Sequence, residues 1–463
     1  MTARATLVLP AWIADEIGVA VRGRNEAAAV LLAGVARTQC GLRLIGRDLM
    51  WVPDDAYERR TPRSLSIRST GYVHALAQAE ARGDVPIWLH THPGRISEPT
   101  RSEYDEIVDE QLRETFRIRS GADIYACIVA SPAERHFGFT ATVWDGSDEP
   151  FAVERMLVVG EHFALQTAFD ATGGARLPEH FDRQIRAFGG DVQRVLGQLR
   201  VGIVGCGGTG SATAEQLARL GVGNLLLIDD DCLSTSNVTR VYGSSPGDVG
   251  RPKVDVLGDH LRRIAPTASV ATIKGTINDL ETARALTGCD VVFGCTDDNA
   301  GRLVLSRFAS YYLTPVIDLG VLLSSENGEL QGIDGRVTVL TPGAACLVCR
   351  NRIDLARAQA EQLGEAERAV RVAEGYAPEL AGVEPAVVAY TSAVASFAVA
   401  ELLERFIGYG PDAAPSELLL RCHDREISTN ARAPKERHYC HPGAGVLGSG
   451  DREPFIGQAW STR

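Results

Sequence analysis

At 463 residues the chain is long enough for two or three domains, each with its own core. A formal net charge of −12, a pI near 5.4 and the absence of any basic tract argue against nucleic acid or an anionic membrane as partner. Ten cysteines, scattered and mostly in apolar runs, fit a reducing compartment, and residues 1–10 lack a signal peptide's apolar core, so a cytoplasmic location is expected.

The first segment that carries chemistry is Trp88-Leu-His90-Thr-His92-Pro93, which ends an apolar run and opens a polar loop reaching Ser102-Glu-Tyr-Asp105. In an extended segment His90 and His92 project on one face, because strand side chains repeat every two residues. Two imidazoles and a carboxylate make a three-ligand Zn²⁺ set with one position left open. Upstream stands Asn25-Glu26, followed by the apolar residues 27–34. An early Glu, His-x-His-Pro and Ser-x-x-Asp together resemble the JAMM (JAB/MPN) metalloprotease family over about residues 5–145. The resemblance implies an α/β domain whose first helix, residues 25–34, carries Glu26 as general base. It also implies His90, His92 and Asp105 as zinc ligands and Ser102 as hydrogen-bond donor to a tetrahedral oxyanion. The loop between His92 and Ser102 is two residues longer than the family's common spacing. That spacing selects Thr100 and Glu103; residue type selects Ser102 and Asp105.

Residues 151–178 read as a linker, with residues 156–159 and 163–165 as a helix or strand between domains and Gly173-Gly174 marking the boundary near Arg176. The expected division is 1–150, linker 151–178, and a second domain over 179–463.

In that second domain a strand over residues 200–204 opens into Gly205-Cys-Gly207-Gly208-Thr-Gly210 and then a helical pattern over 211–220. A second strand, 224–228, ends on Asp229, Asp230 and Asp231. This βαβ pattern suits a nucleotide: glycines admit phosphate, a helix N-terminus offers free N–H groups, and an acid at the next strand end can bond a ribose. Taken alone it fits NAD as well as ATP. The surroundings decide for ATP, because Arg183, Arg240, Lys253 and Arg302 are more cations than a dinucleotide needs and suit a triphosphate under attack.

Residues 179–440 resemble the E1/ThiF/MoeB superfamily, which adenylates the C-terminal glycine of ubiquitin-like proteins. The motifs agree in order and spacing: Arg183-Gln184, Gly205 to Gly210, Asp229-x-Asp231, Ser236-Asn237-x-x-Arg240, Pro252-Lys253 and Thr296-Asp297. The resemblance implies a Rossmann-like domain with a mostly parallel sheet, in which Asp231 binds the ribose and Asn237, Arg240 and Lys253 hold the triphosphate. Asp297 would hold Mg²⁺, although an acid here could also cap the following helix. Arg183 would be an arginine finger supplied by the second subunit of a homodimer. The family's Gln after Asn-x-x-Arg is replaced by Val241.

Cys346-Leu-Val-Cys349 resembles the family's first zinc pair, but the second Cys-x-x-Cys is replaced by His438-Tyr-Cys440-His441. This leaves open a Cys₃His site of Cys346, Cys349, Cys440 and either His438 or His441, or a packed metal-free pair. The thioester cysteine of many relatives is missing from residues 375–383, where Pro378 stands in its place. Cys232 and Cys422 are the other thiols weighed, each more readily explained as structural. The apolar residues 386–403 read as a buried helix rather than a membrane span.

The expected protein is therefore an α/β chain using ATP, Mg²⁺ and Zn²⁺. It would adenylate a ubiquitin-like protein, with an E2-like carrier as a further partner, and cleave after the same glycine with its N-terminal domain. The alternatives are sulfur-carrier activation to a thiocarboxylate, mildly favoured by the missing cysteine, and a binding scaffold with an inactive N-terminal domain.

Overall fold

A computed structural model describes residues 4–94, 99–134, 136–147, 149–168, 177–326, 329–363, 365–373, 378, 385–411 and 414–460. The chain divides into two units: residues 1–175 with 447–452, and residues 176–446 with 453–463.

The first unit is built on strands β1 (Ala5–Pro10), β2 (Ala28–Thr38), β3 (Gly41–Trp51), β4 (Tyr57–Thr61), β5 (Ser64–Ile67), β6 (Val85–Thr91), β7 (Tyr125–Pro132), β8 (Phe137–Trp144), β9 (Phe151–Val159) and β10 (Phe163–Thr167), with helices α1 (Ala11–Ala20), α2 (Thr70–Arg82) and α3 (Glu103–Ser120). Its main sheet has the order β1-β3-β2-β6-β7-β8-β9-β10 and closes on itself through a β1–β9 pairing; β4 and β5 form a separate ribbon. Central strands are buried on both faces, so they read as continuous apolar runs. Leu31, Ile87 and Leu89 pack with Ile13 and Ile17 of α1, whereas Val30, Leu32 and Trp88 pack with Leu76 of α2 and Phe116 of α3.

Two expectations change here. Residues 28–34 are not helix but the first part of β2, paired to β3 and β6; helix-favouring Ala and Leu yield to burial on both sheet faces. Residues 151–167 are not linker but β9 and β10, with β9 parallel to β1 and antiparallel to β10. The glycine pair at 173–174 lies outside the described residues. Residues 447–452 return to the first unit: Val35 bridges Gly450, and the Asp451 N–H donates to the Val35 carbonyl at 2.7 Å. A Cβ on Gly34 would stand 2.1 Å from the Gly448 carbonyl, so this approach requires glycine. Arg47 and Arg452 both pair with the fully buried Asp84, Arg452 at 3.0 Å.

The second unit holds β11 (Arg200–Val204), β12 (Asn224–Asp229), β13 (Ser269–Lys274), β14 (Val291–Gly294), β15 (Val316–Glu326), β16 (Glu329–Leu340), β17 (Glu417–Arg421) and β18 (Glu426–Asn430). Its helices are α4 (Asp182–Gln198), α5 (Gly208–Arg219), α6 (Lys253–Ile264), α7 (Leu280–Ala285), α8 (Asn299–Tyr312), α9 (Leu355–Glu361), α10 (Glu365–Ala373) and α11 (Val388–Ile407). The sheet order is β13-β12-β11-β14-β15-β16-β17-β18. Strands β13 to β15 run parallel and β16 to β18 antiparallel, so the sheet is mixed rather than mostly parallel. The strand order reverses between β11 and β14, and a crevice at such a switch point is where doubly wound sheets bind ligands. Helix α11 packs on α5 and on β15 and β16, and no helix among the described residues is long and apolar enough to cross a membrane.

Candidate functional sites

The crevice between β11 and β14 opens into a cavity of about 1060 Å³ formed entirely by the second unit. Its floor is the glycine loop. Gly205 has φ +90°, and a Cβ there would meet the Cys295 carbonyl at 2.6 Å. A Cβ on Gly210 would lie 1.8 Å from the Gly205 carbonyl, while Gly207, the N-cap of α5, faces open space. Two glycines thus permit the tight turn, and the third leaves room over the helix N-terminus, where an anion is favoured. Gly208 begins α5, packed near Thr391.

The acids beyond β12 divide their tasks. The Asp229 carboxylate accepts from the Cys206 N–H at 2.6 Å and the Asp231 N–H at 2.9 Å, so it pins the loop. Burial raises its pKa, and Lys253 opposes the shift. Asp231 stays exposed, 2.6 Å from Lys253 Nζ, which also lies 3.9 Å from Asp229. Burial works to lower the Lys253 pKa, but Asp229, Asp231 and Asp297 outweigh it and keep the ammonium charged. Asn237 accepts from the Ser234 N–H at 3.2 Å and closes a 3₁₀ turn; Arg240 donates from that turn to the Ser236 carbonyl at 2.9 Å and lines the cavity. Val241 is buried. The cap of α8 is Asp298, which accepts from the Gly301 N–H at 2.7 Å and from Asn278 at 2.9 Å. Asp297 makes no hydrogen bond or ion pair among the described residues and lines the cavity. Arg183 lies exposed on α4, paired with no acid among the described residues.

Sequence reasoning missed the opposite wall. Arg336 on β16 pairs with the buried Asp318 at 2.7 Å, beside the expected Arg302 at 3.6 Å from the same acid, and Arg352 grips the buried Glu417 with two bonds of 3.0 Å. Arg336 and Arg352 belong to no local motif; the antiparallel pairing of β16 with β15 and β17, and the ion pair of Arg352 with Glu417 of β17, bring them to the cavity.

A second cluster in this unit joins Cys346, Cys349, His438 and Cys440, with all ligand atoms within 4.8 Å of one another. His438 Nδ1 lies 3.4 Å from Cys346 Sγ and 3.3 Å from Cys440 Sγ, and the Cys349 and Cys440 sulfurs are 3.7 Å apart. Tetrahedral zinc with Zn–S bonds of about 2.3 Å sets sulfurs roughly 3.8 Å apart, so the donors fit. The hydrogen bond from Cys440 pulls the Cys346 thiol down towards the thiolate, against the cost of burial. Between the two histidines left open by the sequence, the structure brings in His438; His441 instead caps a 3₁₀ turn, accepting from Gly443 N–H at 3.0 Å. Cys232 is exposed beside Asp231, Cys422 is half-buried, and residues 375–377 and 379–383 lie outside the described residues.

In the first unit His90, His92 and Asp105 converge, their ligand atoms also within 4.8 Å. The two Nε2 atoms are 3.2 Å apart, and Asp105 lies 3.2 Å from His90 and 3.8 Å from His92. Bonds of about 2.0–2.1 Å at tetrahedral angles place such donors roughly 3.3 Å apart, so this set also fits zinc. Strand periodicity explains the histidines: His90 shares the Trp88 face of β6, the side on which α3 packs. Of the two acids the loop length left open, Asp105 reaches the histidines, and Glu103 and Thr100 are exposed. Ser102 caps α3: its hydroxyl donates to Asp105 at 2.8 Å and accepts from the Asp105 N–H at 3.2 Å. It is therefore engaged with the ligand rather than held free for an oxyanion. Burial works to raise the Asp105 carboxyl, but His90 and the Ser102 donors hold it well below the usual range. Burial and His90 lower the His92 pKa, which favours neutral imidazole. The β2–β6 register pairs Ala28 with His90, and the Thr91 N–H donates to Ala27, which brings Glu26, just before β2, within electrostatic reach of His90 and Asp105. Burial pushes the Glu26 carboxyl up to about 7, with His90 opposing and Asp105 adding.

The second unit thus defines a nucleotide-binding adenylation type of fold: a glycine loop at a switch point, a charged lysine and an unpaired acid around one cavity. The profile of the ThiF family matches residues 181–441, more than half of the chain, and the protein belongs to that family. It is 36% identical over 177 residues to the molybdopterin-synthase adenylyltransferase of Escherichia coli (strain K12), a match covering 37% of this chain and 68% of that protein. It is 29% identical over 185 residues to the SAMP-activating enzyme E1 of Haloferax volcanii, covering 40% and 64%. The sulfur carrier protein ThiS adenylyltransferase of Escherichia coli (strain K12) is 32% identical over 152 residues, covering 33% and 57%. The family match begins after the first unit and bears on the second alone.

Proposed function

We propose that the second unit activates the C-terminal carboxylate of a sulfur-carrier or ubiquitin-like protein as an acyl adenylate. A carboxylate oxygen attacks the α-phosphorus of ATP, the bond to the β-phosphate oxygen breaks, and pyrophosphate leaves. Lys253 and Arg240 neutralise charge on the phosphates, Asp231 takes the ribose hydroxyls, and Gly207 leaves the helix N-terminus open to phosphate. Asp297 would hold Mg²⁺, which when bound supplies further charge neutralisation at the phosphates. Arg183 acts from a second copy of the chain, which makes the working form a homodimer. The observation that carries this reading is the charged Lys253 and unpaired Asp297 facing one cavity in a member of the ThiF family. The names of the relatives favour a sulfur carrier at least as well as a conjugated modifier, and the Cys₃His set would hold a structural zinc.

The first unit is proposed to cleave an amide bond after the same terminal glycine. His90, His92 and Asp105 would hold Zn²⁺, which when bound supplies a Lewis acid near neutral pH. Glu26, within electrostatic reach of His90 and Asp105, would accept a proton, and Ser102 orients Asp105. Both activities on one chain would raise the local concentration of a shared tail.

The test is ATP–pyrophosphate exchange with small Gly-ending proteins offered one at a time, with Lys253→Ala as control. Exchange that depends on one of them and disappears in the control supports the reading; Mg·ATP binding without exchange for any of them favours a binding scaffold.

A further inference from the structure

We propose that Arg101, Asp109 and Tyr125 form a positioning lock that holds Asp105 against His90 and His92, and so sets the affinity of that triad for a divalent cation. The inference rests on the reading of the triad as a metal site. Metal-bound histidines ordinarily donate their second ring nitrogen to a carboxylate or carbonyl, which fixes the ring. His90 Nδ1 is buried and has no hydrogen-bond partner among the described residues. The geometry of the triad therefore falls on the carboxylate arm.

That arm is held locally by Ser102, whose N–H and hydroxyl donate to the Asp105 carboxylate at 2.7 and 2.8 Å, but the cap itself stands at the surface. Asp105 stands in the first turn of α3, where Ser102, Glu103 and Tyr104 are exposed. The buried apolar residues that dock α3, Leu112 and Phe116, come two and three turns later, and nearer to Asp105 only the half-buried Val108 packs on the same core among the described residues. Between them sits Asp109, four residues on from Asp105 and so on the same helix face. Asp109 is 5% exposed. One of its oxygens accepts from the hydroxyl of the fully buried Tyr125 on β7 at 2.8 Å, and the other pairs with Arg101, immediately before the helix cap. Arg101 also reaches Thr142 at 3.5 Å and lies over the Trp144 ring at 5.6 Å. Strand β7 pairs with β6, with Val129 opposite His90. The chain of bonds thus ties the turn that carries Asp105 to the strand beside the histidines.

A buried ion pair is weak evidence for stability, since apolar residues of similar size often hold a fold as well. Its clearer use is directional, and here both ends of the pair flank the ligand turn. If the pair only docked the helix, its loss would lower the melting temperature and leave metal affinity alone.

The experiment measures zinc content and zinc affinity of the full chain by chelator competition, together with thermal unfolding of the metal-free protein. Two donor sets are present, so wild type should take two equivalents per chain, and His92→Ala identifies the one held by the triad. Arg101→Met and Tyr125→Phe should weaken that equivalent severalfold, up to the roughly 10- to 100-fold that loss of a direct partner of a ligand costs, since both act through Asp109. Arg101→Lys should recover part of the loss. Arg47→Met, which removes a buried arginine of the same unit away from the triad, should lower stability without changing this affinity. If Arg101→Met fails to fold, Tyr125→Phe decides, because it removes one neutral hydrogen bond. Affinities within about twofold of wild type in both variants would overturn the lock. A wild type that takes one equivalent, unchanged by His92→Ala, would overturn the metal reading and the lock with it.

Discussion

Asp297 and Asp298 are adjacent carboxylates that the structure gives opposite tasks, and their alanine variants separate catalysis from stability. Asp298 caps α8 and binds three donors: the Gly301 N–H at 2.7 Å, Asn278 Nδ2 at 2.9 Å and the Thr296 hydroxyl. Loss of an N-cap costs about 0.5–2 kcal/mol. Leaving two further donors without their acceptor adds roughly 1 kcal/mol each. Asp298→Ala should therefore destabilise the second unit by about 2–4 kcal/mol. Asp297 makes no hydrogen bond or ion pair among the described residues, only a longer-range attraction to Lys253, and Asp297→Ala should shift stability by no more than about 0.5 kcal/mol. If Asp297 holds Mg²⁺ beside the phosphates, its loss should reduce exchange on the order of 10²–10³-fold, as for one preorganised electrostatic contact. Calorimetric titration of ATP with and without Mg²⁺ reads the metal dependence and thermal unfolding the stability, both without a protein partner, while exchange with a Gly-ending protein reads the rate. The reasoning fails if Asp297→Ala keeps the wild-type Mg²⁺ dependence, or if it loses as much stability as Asp298→Ala.

Three further outcomes are expected. His438→Ala should abolish zinc at the cysteine cluster, whereas His441→Ala should keep the metal and lose only a cap worth about 0.5–2 kcal/mol; metal analysis of the purified variants distinguishes them. Burial works to raise the Glu417 carboxyl, but Arg352, Asn430 and Thr338 hold it down to about 2. A depressed folded pKa gives stability that is present above the unfolded value of 4.5 and lost as pH falls towards 2, on the order of 3 kcal/mol. Glu417→Gln should flatten this part of the acid unfolding curve, and an unchanged curve would refute the assignment. Arg452→Met removes one of two arginines on the buried Asp84 and should loosen the hold of residues 447–452 on β2, costing about 1–3 kcal/mol. Hydrogen exchange should then rise at the Asp451 N–H, which donates to Val35.

The chemistry of both sites was legible wherever it is written in short spacings. The glycine loop, the Asp229-x-Asp231 pair, Lys253 and Asp297 stand close to strand and helix ends whose backbone geometry follows from local residue types. His90 and His92 were readable for the same reason, since a two-residue repeat places both on one strand face. Where the alternatives depended on a loop or on distant packing, the sequence left them open. Asp105 over Glu103 and His438 over His441 are decided by which side chain the folded chain turns towards its partners.

By itself, then, the amino-acid sequence determined the nucleotide-binding βαβ unit, the family resemblance of residues 179–440 and the donor types of both clusters. The tertiary structure decided that residues 28–38 are strand, because a position buried on both faces of a sheet overrides helix propensity. It decided that residues 151–167 complete the first sheet and that residues 447–452 return to it, since strand pairing joins segments without regard to separation along the chain. It also placed Arg336 and Arg352 in the cavity wall and joined Arg101, Asp109 and Tyr125. Each of these rests on a contact between residues far apart in the chain, and no local pattern records such a contact.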